Sequence, residues 1–157
     1  RLYKFLNLKM RYNQIVSLKN INFKIVSKSF QEIKFVNFLI SFQPVKIITW
    51  EGVENNKKAY FKLWFFGWKN FKVKHSDFFL SDETLTFTDK GEVLPFGLTN
   101  WNHVHSVKRE DNNTIIYDSL SFNHPNKFIG FLLYPILVSP IFLRKILYPL
   151  YFKRYIK

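Results

Sequence analysis

Across residues 45–122 apolar side chains recur at every second position in one short segment after another, and beyond Pro125 the alternation gives way to a continuous apolar run. A period of two places alternate side chains on one face of a strand, while an unbroken run of that length reads as a helix. Strands in succession followed by one long helix predict an α+β domain, with the helix laid on one face of the sheet.

Residues 12–18 predict a first strand. The stretch 20–28 fits two templates: Ile21, Phe23 and Ile25 alternate like a strand, while Leu18, Ile21 and Ile25 fall on one helix face. Ser29 and Glu32 have capping-box spacing, in which the hydroxyl accepts from a first-turn amide and the glutamate reaches back. Behind them Ile33, Val36 and Ile40 share a face, and Pro44 stops the helix. Strands follow at 45–52, at Ala59, Phe61, Leu63 and Phe65, and at Phe71, Val73 and His75, separated by turn formers at 54–57 and 67–70. Segment 84–88 is rich in β-branched residues, and Asp89-Lys90-Gly91 reads as the turn that ends it. Segments 98–108 and 114–122 make a last hairpin around the turn formers 109–113. The predicted order is one strand, two short helices, six strands and a long helix.

A chain of 157 residues has room for one core, and no linker or repeat divides it. Residues 1–157 therefore read as a single domain, with Met10, the sole methionine, as the expected start and 1–9 as an extension before it. Aromatic residues make up 20% of the chain, a share that either pads the interior or lines a cavity or a membrane-facing patch. Without cysteine there is neither a disulfide nor a thiolate metal site, and the expected location is cytoplasmic. A net charge of +13 suits phosphate-bearing partners. The excess is nearly all Lys, however, scattered and alternating with apolar residues, so it reads as solvated surface and no nucleic acid partner is expected. Residues 128–143 carry no charge, but a spanning helix needs about 20 apolar residues. With Pro135 and Pro140 inside it, this run reads as a kinked core helix.

The last third holds Phe87-Thr88-Asp89-Lys90-Gly91, then Leu94-Pro95-Phe96, Trp101-Asn102-His103-Val104-His105 and Thr114-Ile115-Ile116-Tyr117-Asp118. It resembles the START-like (SRPBCC) superfamily, in whose cyclase/dehydrase-like members a Pro-Phe, a Trp-x-His-x-His strand and a Thr-x-x-x-Asp strand recur in that order. The match is close over 86–125 and extends by element order over 30–152. The resemblance implies a helix-grip fold: a seven-stranded curved antiparallel sheet around a long C-terminal helix, with two short helices after the first strand. It also implies an internal cavity for an apolar molecule. Pro135, Pro140 and Pro149 depart from the pattern of the final helix.

On a strand, Trp101, His103 and His105 project together. A hairpin centred between Asp111 and Asn112 sets His105 opposite Asp118, His103 opposite Leu120 and Trp101 opposite Phe122. A carboxylate beside an imidazole raises its proton affinity and fixes its tautomer. Such a pair can link two strands, anchor a ligand or act as an acid–base couple. His-x-His spacing also suits a metal, with a third ligand to be sought at His75, Asp77 or Asp118. No spacing forces that ligand, so neither metal nor cofactor is expected. The candidate ligand-binding residues are Phe61, Phe65, Trp101, His103, His105, Asp118, Leu120, Phe122 and Phe131.

These residues suit the binding of a hydrophobic small molecule or lipid in an internal cavity, in a carrier or transfer role without chemistry. The alternative is an aromatase/cyclase-type enzyme in which His105 and Asp118 shuttle protons on a polyketide-like substrate. A weaker one is a basic protein that associates peripherally with membrane or nucleic acid. The tail, 144–157, interleaves Arg144, Lys145, Lys153 and Arg154 with Tyr148, Tyr151, Phe152 and Tyr155, as a segment at an anionic membrane does. Rings packed on the sheet with charges in water give the same pattern. The tail is expected outside the cavity, as a basic aromatic surface strip.

Overall fold

The computed structural model of the chain describes residues 8–156. Seven strands, β1 (Lys9–Leu18), β2 (Val45–Trp50), β3 (Lys58–Trp64), β4 (Trp68–Leu80), β5 (Thr84–Val93), β6 (Asn100–Glu110) and β7 (Asn113–Asn123), form one sheet. Every pairing is antiparallel, in the order β1-β7-β6-β5-β4-β3-β2. Helices α1 (Phe23–Phe30) and α2 (Ile33–Ile40) separate β1 from β2, and α3 (Lys127–Phe142) and α4 (Arg144–Phe152) follow β7. This is the helix-grip architecture that the sequence predicts. A register shift at Ile47/Thr49 interrupts the β2–β3 ladder, and others at Lys72/Val73 and Ser76/Phe79 interrupt the β4–β5 ladder. An extra residue at a bulge bends a strand and increases its twist, which lets a broad sheet curve around helices.

Along β1, Met10, Gln14, Val16 and Leu18 are buried, with Tyr12 half-buried in the same row, while Arg11, Asn13, Ile15 and Ser17 face outward. The inward rows feed two apolar clusters. One joins Val16, Leu85, Phe87, Val107 and Ile116 of the sheet to Phe30, Phe35, Tyr148 and Phe152 from α1, α2 and α4. The other joins Ala59, Val73, Trp101, Leu120 and Phe122 to Leu133, Leu137 and Ile141 of α3. Burying a large apolar side chain contributes about 1.5–3 kcal/mol, so α3 and α4 are held by this contact more than by helix propensity.

The C-terminal helix keeps Pro135 and Pro140 within α3 and is interrupted at Leu143. Pro140 cannot donate to the Ile136 carbonyl; the Ser139 hydroxyl does so instead, at 3.1 Å. Asn126 caps the other end, its Oδ1 accepting from the amides of Phe128 and Ile129.

Several local expectations give way. Stretch 20–28 resolves as helix from Phe23, capped by Asn22. Ser29 belongs to α1, where its hydroxyl donates to the Ile25 carbonyl, so the capping box with Glu32 does not form. The most deeply buried residues of α2 are Phe35 and Leu39, because Phe35 packs among Phe30, Tyr148 and Phe152; Val36 and Ile40 are half-buried beside them and Ile33 is exposed. The turn expected at 67–70 comes earlier, with Trp64 already paired to Trp68. Asp89-Lys90-Gly91, predicted as a turn, lies inside β5. Lys90 and Glu92 point to solvent there, and Asp89 and Gly91 continue the inward row of Leu85 and Phe87. A Cβ on Gly91 would collide with Leu94 and come within 3.0 Å of Trp101 Cβ.

The tail also differs. Tyr148, Tyr151 and Phe152 are buried, since α4 turns its rings onto α2 and the sheet. The rings of residues 144–152 therefore do not form a surface strip with the charges, although Lys145, Lys153 and Arg154 are exposed.

Candidate functional site

A group of polar side chains lies between the two apolar clusters. Antiparallel pairing brings them together: His103 stands beside Asp89 across β5–β6, and His105 stands opposite Asp118 across β6–β7. His75 lies opposite Asp89 on β4, and Gln14 opposite Asp118 on β1. Arg144 and Tyr148, one turn apart on α4, reach the same carboxylate from the helix side.

Asp118 is the hub. It accepts from His103 Nε2 at 2.9 Å, from the Tyr148 hydroxyl at 3.0 Å and from Gln14 Nε2 at 3.2 Å, with Arg144 Nη1 at 3.4 Å. Asp89 is a second centre, accepting from His105 Nε2 at 2.9 Å. His75 donates through Nδ1 to the Lys57 carbonyl at 2.9 Å and sets Nε2 3.0 Å from Asp89 Oδ1. That last contact is close but out of line for a hydrogen bond, as is His105 Nδ1 to Asp118 Oδ1 at 3.4 Å. The register thus makes His105 and Asp118 neighbours, while their short bonds go to Asp89 and His103.

Burial raises the cost of every charge here, and the pairings decide which survive. Burial pushes the Asp118 carboxyl up, but the His103 bond, neighbouring His105 and the Arg144 charge hold it well below the usual carboxylate range. Burial likewise opposes ionisation of Asp89, and His105 and His75 reverse it. Burial drives His105 and His75 down, yet the carboxylates beside them outweigh it and both shift upward. His103, opposed by burial and then by the His105 charge, falls to about 4. Two carboxylates held toward their ionised forms therefore face Arg144 and two imidazoles, His75 and His105, whose protonated forms they favour, around a His103 held toward neutrality.

A hollow of about 80 Å³ opens against this group beneath α2. Its walls include Phe30, Phe35, Leu39, Trp50, Phe61 and Phe87, and one side is polar, formed by His75, Asp89, His105 and Arg144. A larger cleft of about 530 Å³ lies among residues 20–24, Asp82, Arg109 and residues 111–113. That cleft is open to water and lined by loop residues and the ends of α1, β6 and β7, with none of the buried polar group on its wall, so the inner hollow is the candidate site.

Of the residues expected to bind a ligand, Phe61 and His105 line the hollow, and His103 and Asp118 touch His105 from behind. Trp101, Leu120 and Phe122 are packed into the α3 cluster. Phe65 lies beyond the end of β3, edge-on to Phe96 with ring centroids 5.6 Å apart. Phe131 does not line a cavity: it is 61% exposed on the outer face of α3. Sequence reading overlooked Asp89, Gln14, Arg144 and Tyr148. Period-two continuation from Leu85 and Phe87 points to Asp89, and the i,i+4 spacing of Arg144 and Tyr148 puts them on one helix face.

No family model matches the sequence, and no curated protein matches it. Solved structures match by shape. Norcoclaurine synthase from Thalictrum flavum, in complex with dopamine and hydroxybenzaldehyde, superposes with a TM-score of 0.59 at 12% identity, over 90% of this chain and 85% of that one. Protein Ms6760 from Mycobacterium smegmatis gives 0.63 at 6% identity, over 95% and 93%. A nucleoside-diphosphate sugar epimerase from Corynebacterium glutamicum gives 0.53 at 23% identity, over 71% of this chain and only 24% of that one. With the strand order and the gripped helix already described, these likenesses establish that the chain has the START-like helix-grip fold.

Proposed function

We propose that the protein binds a hydrophobic or amphipathic small molecule between sheet and helices, its polar end held against His105, Asp89 and Arg144. The observation that carries this is the hollow beneath α2, apolar on most sides and charged on one. Ligand sites commonly have a few placed polar groups in an apolar lining, though at about 300–1,000 Å³ they are larger. A space of about 80 Å³ holds two or three waters at about 30 Å³ each. A whole organic guest therefore needs α2 to swing outward. This helix is eight residues long and is anchored chiefly by Phe35 and Leu39. Norcoclaurine synthase, of the same fold, holds small aromatic molecules, which supports the class of ligand. Binding alone suffices as a role: both histidines on the wall are held toward their protonated forms, and a general base needs a free lone pair.

Native mass spectrometry of freshly purified protein tests this, with nuclear magnetic resonance during addition of a fatty acid or an aromatic aldehyde. An added mass on the 19.0 kDa chain, or shifts concentrated in α2, is expected. A bare chain with an unresponsive α2 would refute it.

A second reading, contact with an anionic membrane, rests on the outer face of the C-terminal helices. Phe128, Phe131, Leu132, Phe142, Ile146 and Leu150 are exposed there in a row. Exposed Lys127, Lys145, Lys153 and Arg154 border them, and no acidic residue follows Asp118. The stretch Lys127–Tyr155 is long and apolar enough to cross a bilayer by length and composition. Because its other face packs on the sheet, the geometry favours lying on the surface rather than spanning. In vesicle co-sedimentation, Phe131→Glu with Leu132→Glu should abolish binding to anionic vesicles without loss of fold. Equal binding by this variant and the parent would remove the reading.

A further inference from the structure

We propose that Asp89, His103 and His105 form a binding site for one divalent transition-metal ion, with Asp118 as the carboxylate that orients both imidazoles. One ligand atom from each of the three lies within 4.8 Å of the others. Around a tetrahedral ion with bonds of about 2.0–2.2 Å, neighbouring ligand atoms sit about 3.3–3.6 Å apart. Asp89 Oδ2 is 2.9 Å from His105 Nε2 and 4.0 Å from His103 Nδ1, distances that bracket this spacing. Small side-chain rotations suffice to receive the ion.

The rings are already turned the right way. Each histidine shows one nitrogen to Asp89 and the other to Asp118: His103 through Nε2 at 2.9 Å, His105 through Nδ1 at 3.4 Å. Histidines that ligate metals almost always give their second N–H to a carboxylate or carbonyl, and ligating carboxylates are themselves held by hydrogen-bond donors. His75 Nε2 stands 3.0 Å from the far oxygen of Asp89, out of line at present and a small rotation from that role.

A purely structural network accounts for this less well. Asp89 Oδ1 and His105 Nδ1 are buried without a hydrogen bond. An ion replacing the proton on His105 Nε2 would leave Nδ1–H as the only donor of that ring, with Asp118 as its acceptor. The hollow touches both Asp89 and His105, so a water can complete the coordination. Two imidazoles and a carboxylate suit Zn²⁺, and also Fe²⁺ with open positions, whereas Ca²⁺ and Mg²⁺ prefer oxygen alone. The site does not depend on a hydrophobic ligand, and a titration without any added fatty acid or aromatic ligand lets either idea fail alone.

The test uses the full chain stripped with a chelator. Zn²⁺ is titrated against a chromophoric competitor while the melting temperature is followed, and Co²⁺ serves as a spectroscopic stand-in. One ion per chain, a raised melting temperature and the visible bands of four-coordinate Co²⁺ are expected. Asp118→Asn should weaken binding about 10–100-fold, with Asp89→Asn and His103→Gln beyond that range. His124→Gln is the control, because His124 hydrogen-bonds Phe96 and Asn126 elsewhere. Near-ultraviolet circular dichroism of the metal-free variants checks that they fold. Absence of stoichiometric binding by the parent overturns the proposal, as does loss with His124→Gln but not with Asp89→Asn. The parent's Co²⁺ spectrum decides the matter should the variants unfold.

Discussion

Replacing Asp118 by Asn removes one charge with almost no change of shape. The side chain is fully buried and collects contacts from His103, Tyr148, Gln14 and Arg144. An asparagine can keep the His103 bond through its oxygen. Its NH₂ then faces Gln14 Nε2, which already donates to the Ile141 carbonyl at 2.7 Å, so donor meets donor. Arg144 also loses a counter-charge, and His105 loses a neighbour that favours its protonated form. Removing one partner of a buried ion pair costs about 3–5 kcal/mol. At about 2–4 °C per kcal/mol for a domain of this size, the melting temperature should fall by about 6–20 °C. Tyr148→Phe removes only one hydroxyl from the same carboxylate and should cost about 1–2 kcal/mol. Urea unfolding measures both, and an unchanged denaturant slope shows that the same surface is being exposed. A loss below about 1 kcal/mol for Asp118→Asn would mean that this network does not hold the carboxylate, and would refute the reasoning.

Metal-stripped protein should be most stable near pH 6.5. His75 and His105 sit above their ordinary 6.5, so their stabilisation is complete below that pH and is lost as pH rises through their folded values. His103, at about 4, drains stability as pH falls from 6.5, because the unfolded chain takes up the proton first. Asp89 and Asp118 lie below 3.8 and add a further loss at still lower pH. Urea midpoints from about pH 3 to 9 check this, and a midpoint still climbing above about pH 7.5 would contradict it. Gly91→Ala should cost about 1–3 kcal/mol, since its Cβ meets Leu94 and Trp101; an unchanged urea midpoint would refute the close packing. Ending the chain at Leu143 should prevent folding, because Leu147, Tyr148, Tyr151 and Phe152 leave the core. Native-like near-ultraviolet circular dichroism of the truncated chain would refute that.

The sheet was legible because its two signals, alternation and turn chemistry, agree through most of residues 45–122. They agree best at Asp111 and Asn112, where the turn fixes the pairing of His105 with Asp118. They conflict at Asp89-Lys90-Gly91. Turn chemistry reads a stop there, whereas the ladder with β6 runs on to Lys90 and the ladder with β4 carries β5 to Val93. A tertiary pairing overrode the local preference, and with it the second carboxylate of the site was lost from view. Arg144 and Tyr148 were hidden for a different reason. Mixed charge and aromatic character cannot say which way a helix faces until the break at Leu143 sets its rotation.

β1 lies next to β7, so the first strand finds its partner only after almost the whole chain has been made. Gln14 meets Asp118 across 104 residues, whereas β2 to β7 join through short hairpins. Closing distant contacts costs chain entropy that local hairpins avoid. During synthesis the meander can therefore assemble while the edge of β7 stays open and Asp118 still lacks Gln14, Tyr148 and Arg144. Those donors arrive with the edge strand and the last helix. Sealing the sheet and completing the polar group are thus one late event, and until then β7 is the edge that chaperones would have to shield.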